Sequence, residues 1–150
     1  MHYDISDATI DHAKAIAAGN AALALETESK TLDADTLLTG VSRLLEDANR
    51  GRYWVATRDG EVIGQIMVTW EWSDWRNGYF WWIQSVYIDA SARRQGVFSA
   101  LYEHVINTAK ASGDACGVRL YVERDNAAAL STYNALGMRD AGYHILETLL

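Results

Sequence analysis

The sequence has no proline and only one cysteine among its 150 residues. Without proline the chain has no residue of fixed φ, which is compatible with long regular elements but assigns none of them. Cys116 has no second cysteine with which to form an internal disulfide. A single thiol is compatible with a reducing compartment.

Signals for export and for membrane insertion are also lacking. The N-terminus, Met1-His2-Tyr3-Asp4, has no basic segment followed by an apolar run, which a secretory signal needs. No apolar stretch approaches the length that spans a bilayer. We therefore expect a soluble, cytoplasmic protein without a membrane partner.

Positive charge is scarce. The chain carries 13 Lys and Arg against 20 Asp and Glu, for a formal net charge of −7. A nucleic-acid backbone requires an excess of basic side chains along one face, so we expect no nucleic-acid partner. The negative charge leaves room for a cationic substrate, although ordinary solubility also explains it.

The residues that are present have the composition of a folded protein. Apolar residues make up 49% and charged residues 22% of the chain, and there is no low-complexity tract. A chain of 150 residues is long enough for one domain with a sizeable core. We expect a single domain over residues 1–150.

Hydrophobic periodicity and turn residues divide the chain into helices and strands. Residues 5–24 are rich in alanine, and Leu37, Val41 and Leu44 have helical spacing, so two helices joined by a polar loop are expected. Asp59-Gly60 predicts a tight hairpin turn. The expected helices are 5–24, 36–48, 96–112 and one capped by Asp125 that runs to 136; the expected strands are 52–58, 61–72, 79–89, 116–122 and a closing strand at 138–148. This order indicates a mixed α/β (α+β) layer structure.

Arg93-Arg94-Gln95-Gly96-Val97-Phe98 is the most informative stretch, because it joins a predicted strand to a predicted helix through a glycine turn. Exposed backbone N–H groups and the positive end of a helix dipole suit a phosphate. A plain strand-to-helix connection is the alternative. The chain lacks the Gly-x4-Gly-Lys-Ser/Thr pattern of a nucleotide-hydrolysing P-loop and the three-glycine turn of a dinucleotide fold.

Two motifs in this order resemble the GCN5-related N-acetyltransferase (GNAT) family. Arg93-x-x-Gly96, after Val86-Tyr87-Ile88-Asp89, resembles its motif A, whose usual pattern is Gln/Arg-x-x-Gly-x-Gly/Ala. The segment from Asn126 to Tyr133, followed by Leu136-Gly137-Met138, resembles its motif B. Arg-x-x-Gly alone is weak, but the pair in its strand-turn-helix context is specific. The resemblance covers the chain from about residue 52 onward.

This resemblance implies a mixed, mostly antiparallel sheet of about six strands flanked by about four helices. It also implies a bulged fourth strand that splays from the fifth, with acetyl-CoA as cosubstrate and no metal. Pantetheine would lie between these strands, against backbone near Val86, Tyr87 and Ile88. The amides of the loop would hold the pyrophosphate, and two side chains would add contacts: the amides are those of Arg94, Gln95, Gly96, Val97, Phe98 and Ser99, and the side chains are Arg93 and Asn126.

Three of these residues carry alternative interpretations. Phe98 stands where the family usually has glycine or alanine, and its side chain is expected to point into the core. Arg93 and Arg94 suit solvent as well as phosphate. Asn126 suits helix capping as well as cofactor contact.

Tyr133 is the candidate general acid. The resemblance implies that its phenol protonates the departing CoA thiolate, although a core aromatic is the alternative. Relatives place a general base at positions that correspond here to Trp82 or Tyr121, and neither side chain takes a proton at neutral pH. Glu28 or Glu71 could act through a water oriented by Gln84 or Ser85, unless both are ordinary surface carboxylates.

Two further groups of side chains remain open to interpretation. Tryptophans near the predicted acceptor side could form an aromatic wall or cover an alkylammonium, but they could equally form sheet core or a dimer surface: Trp70, Trp72, Trp75, Trp81 and Trp82. Three histidines lie on separate predicted elements without metal-ligand spacing to Cys116, and we expect them to have no metal role: His12, His104 and His144.

The sequence therefore predicts an acetyl-CoA-dependent N-acetyltransferase. The acceptor would be a primary amine of a small molecule or peptide, attacking directly in a ternary complex, and a homodimer is expected by analogy. The alternative is a non-catalytic CoA-binding or protein-interaction module of the same fold. A third reading, a structural protein, predicts a closed sheet between the strands that contain Val86 and Val118.

Overall fold

The structure is a computed structural model that describes residues 2–150. Its strands are β1 (Asp4–Asp7), β2 (Arg52–Arg58), β3 (Glu61–Ser73), β4 (Gly78–Ile88) and β5 (Ala115–Leu120). Its α-helices are α1 (Ala13–Glu28), α2 (Ala34–Leu45), α3 (Val97–Ser112) and α4 (Ala127–Ala135). Short 3-10 helices precede α1 at Ile10–His12 and follow β4 at Ala90–Ala92.

The chain divides into two compact units. The first ends at Leu120 and contains the sheet and three of the α-helices, and the second spans Tyr121–Leu150 and contains α4. The single-domain interpretation of residues 1–150 remains a prediction.

The first unit is built on one five-stranded sheet in the order β1-β2-β3-β4-β5. The first four strands pair antiparallel, and β5 pairs parallel to β4. This confirms the mixed, mostly antiparallel sheet, with five strands where about six were expected. Within residues 2–150 no helix is long and apolar enough to cross a membrane.

Apolar side chains fill both faces of this sheet. On one face Ala13 and Ile16 of α1 and Val41 of α2 pack with Tyr53 and Val55 of β2. On the other face the side chains of Val97 and Leu101 approach the backbone of Gly64, where a Cβ would lie 2.9 Å from Val97 Cγ1. The sheet is therefore the middle layer of a three-layer unit, and α3 is held firmly against it.

The central hairpin and α3 agree with the sequence expectations. Asp59 (φ 51°) and Gly60 (φ 80°) both have positive φ, as the favoured two-residue hairpin turn requires. The expected apolar face of α3 is buried at Val97, Leu101, Val105 and Ala109.

The prediction for the N-terminus was wrong. Residues 4–7 form β1, which pairs Asp4–Asp7 with Thr57–Trp54 of β2, and the α-helix begins only at Ala13. Two aspartates and a serine in β1 carry little intrinsic strand preference, so pairing with β2 and the Arg52 Nη2–Asp7 Oδ1 contact of 2.7 Å determine this segment. The helix α1 also extends to Glu28, which the sequence had assigned to a loop.

The closing strand expected at 138–148 was also wrong. These residues form no strand, and the segment 139–150 is exposed throughout. Gly142 (φ 81°) instead donates its N–H to Asp140 Oδ1 at 2.7 Å in a local turn. Apolar pattern alone does not form a strand, because its backbone groups also need a neighbouring strand.

Candidate functional site

A β-bulge interrupts β4 in the middle of the sheet. Val68 pairs with Ile83 but Met67 pairs with Ser85, so Gln84 is an additional residue on β4. A bulge bends a strand and changes the face to which the following side chains point. Below it, the pairing of β4 with β5 runs only from Tyr79 to Ile83.

The second half of β4 therefore has one open edge within residues 2–150. The pairing of β4 with β5 ends at Ile83 and Leu120. This end of pairing is the splay that the family resemblance implied. It does not match the closed sheet expected of a structural protein without a ligand. The N–H of Asp89 donates to Ile63 O of β3 at 2.9 Å. Since backbone groups alternate along a strand, the N–H groups of Val86 and Ile88 point to the open edge, and that of Tyr87 points to β3.

Two polar side chains mark the bulge. Gln84 Nε2 donates to Thr69 Oγ1 at 2.7 Å, so this amide is fixed. Ser85 Oγ is buried and has no hydrogen-bond partner within residues 2–150. A buried hydroxyl without a partner is costly and points to a ligand or water that would satisfy it.

The loop between β4 and α3 alternates in backbone handedness. Arg94 (φ 63°) and Gly96 (φ 81°) both have positive φ, and Gln95 lies between them. Such alternation makes successive N–H groups converge into an anion-binding concavity. Gly96 is the N-cap of α3, and the first helical bond is donated by Ala100 N to Gly96 O, so the amides of the first turn have no acceptor within the helix.

The two arginines of this loop have different surroundings. Arg93 Nη2 donates to Glu26 Oε2 at 2.7 Å, Nε donates to Ile88 O at 3.0 Å, and the guanidinium lies 5.6 Å from the Tyr87 ring centroid. The hydrogen bond that Arg93 donates to Glu26 raises the pKa of Arg93. Arg94 is exposed and makes no hydrogen bond or ion pair within residues 2–150. Arg93 therefore anchors the loop, whereas the Arg94 guanidinium is left exposed. The cofactor contacts of both arginines remain predictions.

Side chains from distant parts of the chain hold the loop in place. Arg58 Nη2 donates to Gln95 Oε1 at 2.8 Å, and Tyr3 Oη donates to Gly96 O at 3.1 Å. Asp89 accepts from Ser91 Oγ at 2.6 Å and from Ser91 N at 2.9 Å. The two Ser91 hydrogen bonds lower the pKa of Asp89. No sequence pattern predicts the roles of Tyr3 and Arg58, because each contact joins residues far apart in the chain.

Phe98 does not occupy the core position expected for it. The buried side chain at the start of α3 is Val97, while Phe98 is half-buried and stacks on Tyr102 with ring centroids 6.1 Å apart. Residues 97 and 98 differ by about 100° around the helix, so both cannot point at the sheet.

In the second unit, both ends of α4 have defined caps. Asn126, not Asp125, is the N-cap: its Oδ1 accepts from Ala129 N at 3.1 Å. Gly137 (φ 90°) ends the helix, with Gly137 N donating to Asn134 O and Met138 N donating to Tyr133 O, both at 3.0 Å. Asn126 and Gly137 of the predicted motif B thus determine where α4 begins and ends. Tyr133 lies within this helix and is half-buried. The cofactor contact of Asn126 and the acid role of Tyr133 remain predictions.

The two candidate carboxylates each have a cation nearby. Glu28, the last residue of α1, lies 3.7 Å from Lys30 Nζ. Glu71 lies 3.5 Å from Arg119 Nη1 and pairs across the sheet with Phe80, on the closed side of the splay. Both carboxylates are exposed, and their role as water-mediated bases remains a prediction. Trp82 is half-buried and Tyr121 is exposed.

Two cavities open on the face of the sheet that α1 and α2 cover. One of about 240 Å³ lies between α1 and β3, and Gly19, Gln65, Tyr87 and Asp89 are among its lining residues. Burial raises the pKa of Tyr87, and the Glu26 carboxylate raises it further. The other, of about 380 Å³, is lined mainly by apolar side chains of α2 and by Asn20, Tyr53 and Met67.

The tryptophans divide between core and surface. Trp81 is buried, stacks on Trp54 at 6.4 Å and meets Trp70 edge-on at 6.0 Å, so these rings form sheet core. Trp72 and Trp75 are exposed around the β3–β4 turn, and Trp72 contacts Tyr79. Within residues 2–150 no group of three or more His, Cys, Asp or Glu side chains is arranged to hold a metal.

Four features of the first unit fit a CoA-like ligand. They are the open edge of β4, the buried Ser85 hydroxyl, the turn at Arg94 and Gly96, and the N-terminus of α3. The first two suit an amide-containing chain and the last two suit phosphates. A side chain at position 96 would be strained at this φ, and its Cβ would lie 3.7 Å from Tyr3 Oη.

Comparisons with known proteins agree with this geometry. The sequence matches the family model described as the Acetyltransferase (GNAT) family over residues 13–138. A comparison with curated proteins found no match. A crystal structure of a possible acetyltransferase from Clostridium difficile 630 is 44% identical, with a TM-score of 0.93, covering 100% of this chain and 99% of that one.

More distant structures share the fold. A ribosomal-protein-alanine N-acetyltransferase from Brucella melitensis biovar Abortus 2308 has 15% identity and a TM-score of 0.82, with 99% of this chain and 100% of that chain covered. An aminoglycoside N-acetyltransferase in complex with CoA has 16% identity and a TM-score of 0.80, with 99% and 95% covered. With the family match over most of its length, the chain belongs to the GNAT family of acetyltransferases.

Proposed function

We propose that this protein is an N-acetyltransferase that transfers the acetyl group of acetyl-CoA to a primary amine of a small molecule or peptide. The loop from Arg93 to Ser99 carries this proposal, because it combines a positive-φ turn, a helix N-terminus and an uncommitted arginine at the end of a splayed strand. Relatives that act on a ribosomal protein or on aminoglycosides, one of them crystallised with CoA, support the same class of donor and acceptor.

Residues of the first unit would bind the donor. Acetyl-CoA would supply the thioester that an amine attacks directly in a ternary complex. The N–H groups of Val86 and Ile88, on the open edge of β4, would bind pantetheine amides, while the backbone of Tyr87 bonds to β3. The amides of Gly96, Val97 and Ser99, with Arg94, would bind the pyrophosphate.

The acceptor would enter from the face that α1 and α2 cover. Met67 lines the cavity of about 380 Å³ and pairs with Ser85, so this cavity adjoins the bulge of β4. Its apolar lining suits an amine that carries an apolar group. Gly40 also lines it, and a Cβ at this position meets nothing within 4 Å, so a larger side chain has room to project into the cavity.

Proton transfers would complete the reaction. An amine must lose a proton before or during attack, and a water oriented by Gln84 or Ser85 would pass this proton to Glu28 or Glu71. An amine that arrives neutral needs no base before attack, and the proton that its nitrogen loses as the amide forms passes to the same water or restores the Tyr133 phenol. Tyr133 would donate its phenol proton to the departing CoA sulfur, a role supported by its position in motif B.

Thiol release from acetyl-CoA with a panel of primary amines tests this function. We expect amine-dependent release in the unaltered protein, and loss of most turnover in Tyr133→Phe with acetyl-CoA binding retained. Gly40→Leu should raise the KM for the amine without weakening acetyl-CoA binding. No release with any amine would contradict the proposed activity, and full turnover in Tyr133→Phe would remove Tyr133 from it.

A non-catalytic CoA-binding module is the second candidate. The observation that favours it is that Glu28 and Glu71 each lie beside a cationic side chain, Lys30 and Arg119, with which a substrate would have to compete. This candidate predicts saturable CoA binding with no amine-dependent thiol release across the whole panel. The same assay therefore separates it from the enzyme.

A further inference from the structure

A chain of hydrogen bonds between side chains runs through the layer between α1 and the sheet. Gln65 of β3 is 1% exposed, and its Nε2 donates to the Ile16 backbone carbonyl at 3.0 Å and to Asn20 Oδ1 at 3.1 Å. Asn20 Nδ2 in turn donates to Tyr53 Oη at 2.9 Å. Gly19 makes room for this chain, because a Cβ there would lie 2.9 Å from Gln65 Nε2. A glycine in α1 therefore lets a buried amide reach the helix backbone.

The carbonyl of Ile16 fixes the direction of every bond in this chain. A carbonyl oxygen can only accept, so the Gln65 atom beside it is the amide nitrogen. That nitrogen also donates to Asn20, whose nearer atom must then be the oxygen, and the Asn20 nitrogen is left to donate to Tyr53. The Tyr53 oxygen is therefore an acceptor in this chain, and the chain does not use the proton of the Tyr53 hydroxyl.

Tyr53 and Asn20 both line the cavity of about 380 Å³ on the α1 and α2 face of the sheet. The hydroxyl of Thr36, another lining residue, is already committed, because it donates to Asp33 Oδ2 at 2.7 Å. Tyr53 is 3% exposed, and its hydroxyl proton has no acceptor within residues 2–150. A buried O–H without an acceptor costs free energy, so a ligand that fills the cavity is favoured if it brings an acceptor to Tyr53.

The charges around this cavity disfavour a carboxylate as that acceptor. None of its lining residues, all of them within 2–150, is lysine, arginine or histidine, and Asp33 is among them. The Thr36 backbone N–H that bonds to Asp33 lowers the pKa of this carboxylate, so it stays ionised at neutral pH. An anionic ligand group would therefore meet a negative charge without a compensating cation. A neutral oxygen, as in an ether, a hydroxyl or a carbonyl group, has no such penalty.

We propose that Tyr53 selects the acceptor substrate by donating its phenol proton to a neutral oxygen within an otherwise apolar part of that substrate. The substrate class is thus a primary amine whose carbon chain carries an ether, hydroxyl or carbonyl oxygen, rather than a purely aliphatic amine or one that carries a carboxylate. The amino group of this ligand rests on the proposed function, whereas the preference for an oxygen atom is measured by binding alone.

Calorimetric titration with four linear primary amines of equal chain length tests this selectivity. Three are isomeric ethers, propoxyethylamine, ethoxypropylamine and methoxybutylamine, in which the oxygen moves along the chain, and the fourth is hexylamine. CoA is present in place of acetyl-CoA, so no acetyl group can be transferred. We expect one ether to bind about tenfold more tightly than its two isomers, because only that isomer places its oxygen against Tyr53. In Tyr53→Phe the three ethers should bind within about twofold of one another, and hexylamine should bind more tightly than each of them, because its chain has no oxygen to desolvate.

Asn20→Asp tests the direction of the bonds without removing the phenol. The introduced carboxylate can still accept from Gln65 but cannot donate, so the Tyr53 hydroxyl donates to it and the ether preference should disappear. Tyr102→Phe is the matched control and should keep the preference, since Tyr102 is also a buried tyrosine but belongs to α3 on the other face of the sheet. Near-ultraviolet circular dichroism verifies that each variant is folded.

Binding and turnover separate this proposal from the proposed function. Equal affinity for the three ethers, or no binding of any of the four amines, would overturn the selective role of Tyr53, whatever the turnover. A preference for one ether that survives in Tyr53→Phe or in Asn20→Asp would overturn it as well. Absence of thiol release together with the expected ether preference would overturn acetyl transfer and support the role of Tyr53 in binding.

Discussion

Arg93 and Glu26 form an ion pair, with Nη2 2.7 Å from Oε2, that links the loop after β4 to the last turns of α1. Arg93 also donates to the carbonyl of Ile88, at the end of β4. One side chain therefore positions the candidate phosphate loop against both a strand and a helix. This positioning does not depend on a contact between Arg93 and the cofactor, and that contact remains a prediction.

A double-mutant cycle should measure this link. Arg93→Met and Glu26→Gln, alone and together, should show a coupling free energy of about 0.5 kcal/mol in urea unfolding, small because both side chains are more than a third exposed to solvent. High salt should reduce the coupling further. The corresponding pair Arg52 and Asp7 gives a control cycle away from the loop.

Gly96→Ala should affect both stability and cofactor binding. An alanine at φ 81° costs about 1–2 kcal/mol in unfolding free energy, and we expect a loop that relaxes this strain to move its amides. Gly60→Ala is the matched control, because Gly60 has φ 80° and open space around it but lies in the β2–β3 turn. Both variants should lose similar stability, and only Gly96→Ala should bind CoA more weakly. Equal CoA affinity in the two variants would argue against a phosphate site at this loop.

The Asp89 cap should make stability depend on pH in the acidic range. Hydrogen bonds from Ser91 lower the folded-state pKa of Asp89 below its usual 3.8, so its stabilising contribution is present above pH 3.8 and is lost as the pH falls through the lowered value. Asp89→Asn should therefore lower Tm by about 1–2 °C at pH 6, and the difference should vanish once the pH lies below the lowered pKa of Asp89. Ser91→Ala removes the hydroxyl that donates to Asp89, so it should reduce the change in Tm between neutral and acidic pH. A Tm difference between the unaltered protein and Asp89→Asn that increases on acidification would contradict the stabilising role of the Asp89 carboxylate.

Asn126 allows capping and cofactor contact to be separated. Asn126→Ala should destabilise the protein by about 1 kcal/mol through loss of the bond to Ala129 N, whereas Asn126→Asp should retain the cap. Stability is followed by thermal unfolding and affinity by CoA titration. If the aspartate variant keeps both stability and affinity, Asn126 acts only as a cap; if it keeps stability but loses affinity, the side chain also faces the cofactor.

The parts of the fold that the sequence predicted depend on local chemistry. Asp59-Gly60 marks a turn because the backbone there needs positive φ, and the apolar period of α3 identifies its buried face. The segment at Asp4–Asp7 could not be recognised, because its strand conformation comes from pairing with residues fifty positions later. Strand pairing could not be predicted at 138–148 either: the sequence has an apolar pattern there, but these residues form no strand.

In the candidate site, too, the features set by a local motif were predicted and the contacts between distant residues were not. Gly96 and the first turn of α3 follow from a short motif, and the splay of β4 from β5 followed from the family that the motif identified. The supporting contacts did not follow, since Arg93 and Glu26 are 67 residues apart and Tyr3 and Gly96 are 93 apart. Such pairs are chosen by the packing of α1 and β1 on the sheet, which no local pattern encodes.

Titration of acetyl-CoA into the unaltered protein by calorimetry tests the central claim most directly. The account predicts saturable binding, weakened by salt because phosphates and Arg94 contribute, together with a rise in Tm that grows with ligand concentration. Absence of both binding heat and a Tm shift at millimolar acetyl-CoA would contradict it.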